Sequence, residues 1–201
     1  MTSSDDMQRK LMDAFRMPSV QTMVSRKSSI TNAFVNSVIP AITPTSQEID
    51  EALQILGMTH DDLRCVYCGN RSTEWDHLRP LVLNRRPTGY ISEIANLVPA
   101  CGKCNQSKGN KPWRDWMRSK AKWSPTGRGL TDVEQRIALI ERYEAWKTPI
   151  QVDFVSAIGE ADWEHYWSLC EAVNQEMRSA QNVADRIREK VVNTVQSQSR
   201  R

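Results

Sequence analysis

The fold is decided by four motifs within residues 65–111: CVYCG at 65–69, TEWDHLRPL at 73–81, IANLVPAC at 94–101 and CGKCNQSKGNK at 101–111. They contain two Cys-x-x-Cys pairs, which bracket an Asp-His pair and an Asn. Each Cys-x-x-Cys turn presents two sulfur atoms to one ion, so the two pairs together match a tetrahedral zinc site. The sequence therefore predicts a structural zinc ion held by Cys65, Cys68, Cys101 and Cys104.

Two disulfides, or four buried thiols without a metal, are the alternative interpretation of these cysteines. The N-terminal sequence MTSSDDMQRK is polar and lacks the apolar segment of a signal peptide. No apolar run reaches membrane-spanning length, so no membrane contact is expected. We therefore predict a cytoplasmic protein in a reducing compartment, where zinc is favoured over disulfides. The fifth cysteine, Cys170, lies in a distant helical pattern and is predicted to be a small buried hydrophobe.

The residues between and after the two Cys-x-x-Cys pairs predict a strand, a loop, a second strand and a helix. Residues 73–81 alternate as a strand does, so Asp76 and His77 are expected to point to opposite faces unless the strand bends or a metal or substrate lies between them. Residues 95–100 indicate a second short strand. The pattern from 104 to 119 is helical, with a break near Gly109 and a restart at Pro112.

The motifs CxxC, DHxxP, NLxxxC and CxxCNxxKG occur here in an order that resembles the HNH (ββα-metal) endonuclease family, in its four-cysteine zinc-bound branch. The resemblance covers about a quarter of the chain. It implies an α+β fold, in which a small zinc-braced ββα-metal nuclease core is embedded in mostly helical N- and C-terminal regions. It also implies metal-dependent hydrolysis of phosphodiester bonds.

The resemblance further implies a role for four residues. His77 would be the general base that activates a water molecule, and Asp76 would bind the catalytic metal. Asn105, at the start of the helix, would be the second metal ligand, and it stands where the family's name has a second His. Asn96 would tie the loop and orient His77. For Asn96 alone, a turn Asn that bonds its own backbone is the commoner interpretation.

The chemistry of these side chains fits such a reaction. Phosphodiester hydrolysis needs a nucleophile in line, a base for its proton and a cation on the leaving oxygen. A histidine titrates near neutrality, so His77 can accept a proton at working pH. Asp76 and Asn105 offer only oxygen ligands, a hard set that favours Mg²⁺ or Mn²⁺. The alternative is that Asp76 and His77 are a structural pair that braces a zinc ribbon.

Positive charge is concentrated around these motifs. The net charge of the chain is +3, but residues 71–128 carry 12 Lys and Arg against 4 Asp and Glu. Such a basic face indicates binding to the phosphate backbone of double-stranded DNA, with a solvated basic surface as the alternative. The residues predicted to contact DNA are Arg79, Arg85, Arg86, Lys103, Lys108 and Lys111.

Outside the motif region the pattern is mostly helical. We predict a helical N-terminal region at 1–60, the nuclease core at 61–124 and a helical C-terminal region at 125–201. Capping-box signatures, which mark helix starts, begin at Thr45 and at Thr131, and each has a Glu three residues later.

The C-terminal region is predicted to contain one long helix, from Glu160 to about residue 197. Its apolar residues recur at alternating steps of three and four, which is a heptad pattern. This seam can pair with a second copy of the chain to form a homodimer, or it can pack along the protein's own helices. The seam consists of Trp163, Tyr166, Cys170, Val173, Met177, Ala180, Ala184, Ile187 and Val191.

Together these features predict a metal-dependent DNA endonuclease, with a restriction or phage-defence role by analogy between folds. A non-catalytic zinc-ribbon DNA-binding protein is the alternative from another class, because it would use the same cysteines and basic face without the remaining site residues. An RNase or toxin with the same site is a second alternative. The sequence contains no Walker A loop, so an ATP-driven machine is not expected.

Overall fold

The computed structural model describes residues 4–14 and 18–199. The chain divides into two compact units, one formed by Met1–Ser28 together with Glu171–Arg201 and the other by Ser29–Cys170. N-terminal and C-terminal segments thus contribute to the first unit. The three consecutive regions that the sequence indicated stay a prediction. All the motifs described above lie in the second unit.

The described residues form helices and short strands, so the predicted α+β class is confirmed. A 3-10 turn at Ile94–Asn96 leads directly into the last strand. The helices are α1 (Ser4–Ala14), α2 (Lys27–Val38), α3 (Ser46–Leu56), α4 (Gly102–Lys108), α5 (Trp113–Arg118), α6 (Val133–Trp146), α7 (Phe154–Ile158) and α8 (Glu160–Gln198). The strands are β1 (Glu74–His77), β2 (Val82–Leu83), β3 (Arg86–Pro87) and β4 (Leu97–Ala100).

Strands β1 and β4 form a two-stranded antiparallel sheet, in which His77 lies opposite Leu97. β1 is shorter than the strand predicted at 73–81. The ladder continues by one bond, because the backbone N–H group of Leu78 donates to the carbonyl of Asn96 at 2.9 Å. Asn96 is the last residue of the 3-10 turn Ile94–Asn96, so the chain before β4 offers no extended backbone with which residues 79–81 could pair.

Helical structure with a break near Gly109 and a restart at Pro112 was predicted at 104–119, and the structure has two helices there, α4 and α5. The break falls at Gly109, whose φ of +51° lies in a region that side chains disfavour. Helix α5 packs the ring of Trp116 edge-on against Tyr67, with the ring centroids 5.2 Å apart. Both aromatic residues are buried, so the turn between Cys65 and Cys68 is fixed on the main core.

The two predicted capping boxes have different outcomes. At Thr45 the capping box is present, since its hydroxyl accepts from the backbone N–H of Glu48 and the Glu48 carboxylate accepts from the N–H of Thr45. The second prediction is wrong, because α6 starts after Asp132 rather than after Thr131. The side chain of Glu134 is bound by an arginine of α5 at 2.7 Å and does not reach back to a cap.

A β-hairpin lies between β1 and β4 in the sequence, and it was not predicted. β2 and β3 pair antiparallel, and the loop that joins them is Asn84 and Arg85 alone. Both loop residues have positive φ, 50° and 67°, as the tightest right-twisting hairpins require. Asn-Gly is the usual sequence of such a turn, so Arg85 concealed the signal.

The predicted long C-terminal helix is present as α8. Its first part is buried in a core cluster that includes Trp163 and Cys170, so the prediction that Cys170 is a small buried hydrophobe is confirmed. Its later part exposes apolar side chains, among them Ile187 at 57% and Val191 at 55%. Among the described residues, no helix combines the length and apolar content that a membrane span requires.

The phenol of Tyr143 on α6 binds the backbone at the 3-10 turn Ile94–Asn96 and the first residue of β4, and this contact should contribute to stability. Its hydroxyl lies 2.6 Å from the carbonyl oxygen of Ile94 and 3.0 Å from that of Leu97. Tyr143→Phe should lower the free energy of unfolding by about 1–3 kcal/mol, because the carbonyl of Leu97 loses this donor and that of Ile94 keeps only the backbone N–H of Leu97 among the donors of the described residues. Urea unfolding measures this loss.

Tyr166→Phe is the matched control, because the Tyr166 hydroxyl bonds one partly buried carbonyl, that of Phe34, at 3.0 Å. Its loss should be smaller, about 0.5–1.5 kcal/mol. An equal or smaller loss for Tyr143→Phe would show that the phenol does not hold the segment.

Candidate active site

The four predicted zinc ligands come together in the structure. Their sulfur atoms all lie within 4.8 Å of one another, and none forms a disulfide. The cluster joins the turn before β1 to the start of α4. The residues are Cys65, Cys68, Cys101 and Cys104.

The spacing and chemistry of this cluster fit one zinc ion. The sulfur atoms of Cys68 and Cys101 are 3.7 Å apart. Zinc–sulfur bonds of about 2.3 Å place the sulfurs of a tetrahedral site about 3.8 Å from one another. The guanidinium of Arg128 lies 3.9 Å from the sulfur of Cys104, where its charge favours a thiolate. The cluster can therefore bind a structural zinc ion.

Asp76 is buried at the face of β1 that packs on α4. Its Oδ2 accepts a hydrogen bond from the Tyr67 hydroxyl at 2.6 Å. The ammonium of Lys108 lies 3.2 Å from Oδ1 and 3.2 Å from Oδ2. Burial raises the pKa of Asp76, and the nearby Lys108 charge opposes that rise. The carboxylate is thus held by two neighbours from the same core.

Lys108 was predicted to contact DNA, and the structure corrects this. Its side chain exposes none of its surface. The ammonium donates to Asp76, to the backbone carbonyl of His77 at 2.7 Å and to that of Gly109 at 3.3 Å. A buried ammonium needs such partners because isolated burial of a charge is costly. Lys108 is therefore an internal part of the site.

Asn105 lies on α4 one turn before Lys108. Its side-chain nitrogen donates to Oε2 of Glu74 at 2.7 Å. Glu74 stands two residues before Asp76 and therefore on the same face of β1. Glu74 was not among the predicted site residues. Its place two positions before Asp76 in a predicted strand was the available signal.

His77 points away from Asp76, as the strand alternation predicted. Its Nε2 lies 2.9 Å from the hydroxyl oxygen of Ser92. Burial, together with the charge of Lys108, lowers the pKa of His77 to about 4. The imidazole is therefore neutral at neutral pH, which is the form that can accept a proton.

Asn96 is fully buried and closes the loop that follows His77. Its Oδ1 accepts from the backbone N–H of Arg79 at 2.8 Å, and its Nδ2 lies 3.1 Å from the carbonyl of the same residue. The Nδ2 atom also lies 3.3 Å from the carbonyl of Ile91. Arg79 lies 17 positions before Asn96 and Ile91 lies five before it, so the side chain links its own segment to the end of β1.

The other predicted DNA contacts differ in their surroundings. Arg79 is paired with Glu144 at 3.1 Å, and Arg86 lies over the ring of Trp167 at 4.8 Å. Lys111 donates to the carbonyl of Ser107 at 2.9 Å. Three of the six residues have exposed positions, and these are Arg85 at the hairpin tip, Lys103 on α4 and Lys111 after α4.

Comparisons with known proteins agree with this geometry. Residues 65–111 match the model of the HNH endonuclease family. The chain is 33% identical over 89 residues to the CRISPR-associated endonuclease Cas9 of Corynebacterium diphtheriae. That match covers 36% of this chain and spans 8% of the length of the relative. No solved structure matches the chain.

The predicted family resemblance is therefore confirmed for the motif region. The chain contains an HNH endonuclease domain, which is a nuclease domain, at residues 65–111. The matched segment includes the four-cysteine cluster, both site strands and α4.

If the four cysteines hold one zinc ion, replacing one of them should lower the metal content of the protein. Cys68→Ser should lower the bound metal below one ion per chain, because a hydroxyl is a poorer zinc ligand than a thiolate. It should also lower the melting temperature, since metal binding contributes to folding. Elemental analysis and thermal unfolding measure the two effects.

Cys170→Ser is the matched control, because Cys170 is also buried and free but lies outside the cluster. Its metal content should equal that of the wild type. Equal metal content in all three proteins would exclude the cluster as the metal site.

Proposed function

We propose that this chain is a metal-dependent DNA endonuclease in which His77 is the general base. One observation carries the proposal. Strand β1 of the HNH domain presents the neutral imidazole of His77 on one face and the Asp76 carboxylate on the other, and Asn105 of α4 contacts Glu74 on the Asp76 face. A base and a hard oxygen cluster on adjacent residues match what phosphodiester hydrolysis needs.

His77 would accept the proton of an attacking water molecule. Its Nε2 contacts Ser92, so the Ser92 hydroxyl would orient the ring or share that nitrogen with the incoming water. Asn96 would keep the loop after His77 closed, because it bonds both backbone groups of Arg79. These contacts would orient the imidazole of His77 and leave it in the neutral form that accepts a proton.

The proposed cation is Mg²⁺ or Mn²⁺, held by Asp76 and Asn105. A carboxylate offers about four lone-pair sites, and Tyr67 and Lys108 account for three contacts to Asp76. One site on Oδ1 is left, and Asn105 contributes its amide oxygen, so the donor set fits a hard cation. Such an ion would stabilise the charge on the leaving 3′ oxygen.

The proposed structural ion is zinc on the four cysteines. It would fix the start of α4 against β1, which shares too small a core with the helix to be rigid alone. Free thiols suit a reducing compartment, so we propose the cytoplasm as the location.

The proposed substrate is double-stranded DNA. The basic segment 71–128 supports a phosphate-binding surface, and Arg85 and Lys103 are exposed on it. Arg79, Arg86 and Lys111 would reach DNA after exchanging their present partners. We propose a restriction or phage-defence role, which the similarity to a CRISPR-associated endonuclease supports as an analogy.

Plasmid cleavage tests the activity. The wild type should nick or linearise supercoiled DNA with Mg²⁺ or Mn²⁺, and His77→Ala should lower the rate by about 10²–10⁴-fold, the usual contribution of a general base. His60→Ala is the matched control, since His60 is exposed and paired only with Asp61 at the surface. It should cut as the wild type does.

Equal cutting by wild type and His77→Ala would refute the base assignment. If neither protein cuts methylated or unmethylated DNA while both bind it, the zinc-ribbon DNA-binding alternative is supported instead. Faster cleavage of RNA than of DNA would support the RNase alternative.

We also propose that the exposed part of α8 pairs with a second copy of the chain. Ile187 and Val191, the last two residues of the predicted seam, are 57% and 55% exposed. The seam's alternating steps of three and four are the pattern that helix pairing buries. A two-fold dimer would place two sites on opposite strands of a palindrome.

Ile187→Asp combined with Val191→Asp should convert a dimer to a monomer, because it places charges in the buried seam. Sedimentation equilibrium at several concentrations measures the mass. Val155→Asp is the control, since Val155 is 42% exposed but lies on α7. A wild type that stays monomeric at all concentrations would refute the dimer.

A further inference from the structure

We propose that Glu74 is a positioning residue, which holds the amide of Asn105 so that its oxygen faces the catalytic cation. This inference rests on the proposed function, because it concerns the cation site of that reaction. Glu74 is exposed and would not itself bind the ion.

The geometry consists of two parallel contacts between β1 and α4. Glu74 and Asp76 are two residues apart on one face of the strand, and Asn105 and Lys108 are three apart on one face of the helix. Asn105 donates to Glu74 at 2.7 Å, and Lys108 donates to Asp76 at 3.2 Å. The first contact thus fixes Asn105 against the face of β1 that carries Glu74 and Asp76.

The direction of the first contact is what matters for a cation. An amide has an oxygen at one end and an NH₂ group at the other, and only the oxygen binds a hard ion. A carboxylate accepts hydrogen bonds and cannot donate them when ionised. Glu74 therefore takes the NH₂ end of Asn105 and leaves Oδ1 for the ion. Without Glu74, the amide is free to turn its NH₂ group toward the cation.

The helix keeps a space for this carboxylate. A Cβ atom at Gly102 would lie 2.7 Å from Oε1 of Glu74, closer than real contacts allow. Gly102 has no positive φ, so its backbone does not itself require glycine. The absence of a side chain at the first residue of α4 lets Glu74 reach Asn105.

Mn²⁺ affinity, measured on the full chain without DNA, tests the inference. Electron paramagnetic resonance of free Mn²⁺ gives the dissociation constant for the wild type, Glu74→Ala, Glu74→Gln, Asn105→Ala and the Glu74→Ala, Asn105→Ala double variant. Glu74→Ala should weaken binding by about 10- to 100-fold, as loss of a ligand's orienting partner does. Glu74→Gln should retain most of the affinity, because its amide oxygen still accepts from Asn105.

The double variant separates positioning from other effects. If Glu74 acts through Asn105, then removing Glu74 from the Asn105→Ala protein should change the affinity little. Additive losses would overturn the proposal. A Glu74→Gln protein as weak as Glu74→Ala would overturn it too, because Glu74 would then act by its charge.

Two further variants serve as controls. Gly102→Ala should push the Glu74 carboxylate away and weaken Mn²⁺ binding, but it should have no effect in the Glu74→Ala background. Glu141→Ala removes an exposed, arginine-paired carboxylate of α6 and should leave the affinity unchanged. A wild type that binds no Mn²⁺ would refute the proposed cation site and this inference together. Mn²⁺ binding with a different variant pattern would refute only the inference.

Discussion

The buried ammonium of Lys108 is the constraint on which the site depends. It exposes no surface and is surrounded by the Asp76 carboxylate and two backbone carbonyls, one of them from His77. Removing the partner of a buried charge costs several kcal/mol, so these groups cannot separate without a large penalty. Strand β1 and helix α4 are therefore held at one distance and one register. The positions of Glu74, Asp76 and Asn105 follow from that contact.

Helix α4 has seven residues and would not be stable in isolation. The structure holds it at both ends. Cys101 and Cys104 join its first turn to the Cys65–Cys68 turn, and Lys108 joins its last turn to β1. His77, Asp76 and Asn105, the residues proposed as base and oxygen ligands, thus lie on elements whose stability comes from tertiary contacts.

Sequence patterns predicted those features of the site that depend on the spacing of residues within one turn, strand or helix. Three features could be predicted because each follows from the local geometry of a turn, strand or helix. They are the pairing of cysteines in Cys-x-x-Cys turns, the opposed faces of Asp76 and His77, and the helix that contains Cys104. The helix Ser46–Leu56 was also predictable from its cap.

Other features were hidden because they depend on tertiary contacts. Lys108 looks like a surface cation in the sequence, and only the approach of Asp76 and the carbonyl of His77 makes its burial possible. The same holds for Glu74, whose partner Asn105 lies 31 positions away. The Asn84–Arg85 turn was missed because Arg85, and not glycine, occupies the second of its two left-handed positions.

The four-residue length of β1 has a consequence for how this chain tolerates insertions. Successive residues on the strand face opposite ways, so a shift of one residue would move the imidazole to the α4 side and the carboxylate to the Ser92 side. The segment 69–73, which joins the cysteine turn to the strand, therefore has a fixed length. The exposed tip at 84–85 carries no such restriction, and it is where a peptide tag or a DNA-reading loop could be grafted without disturbing the register of β1.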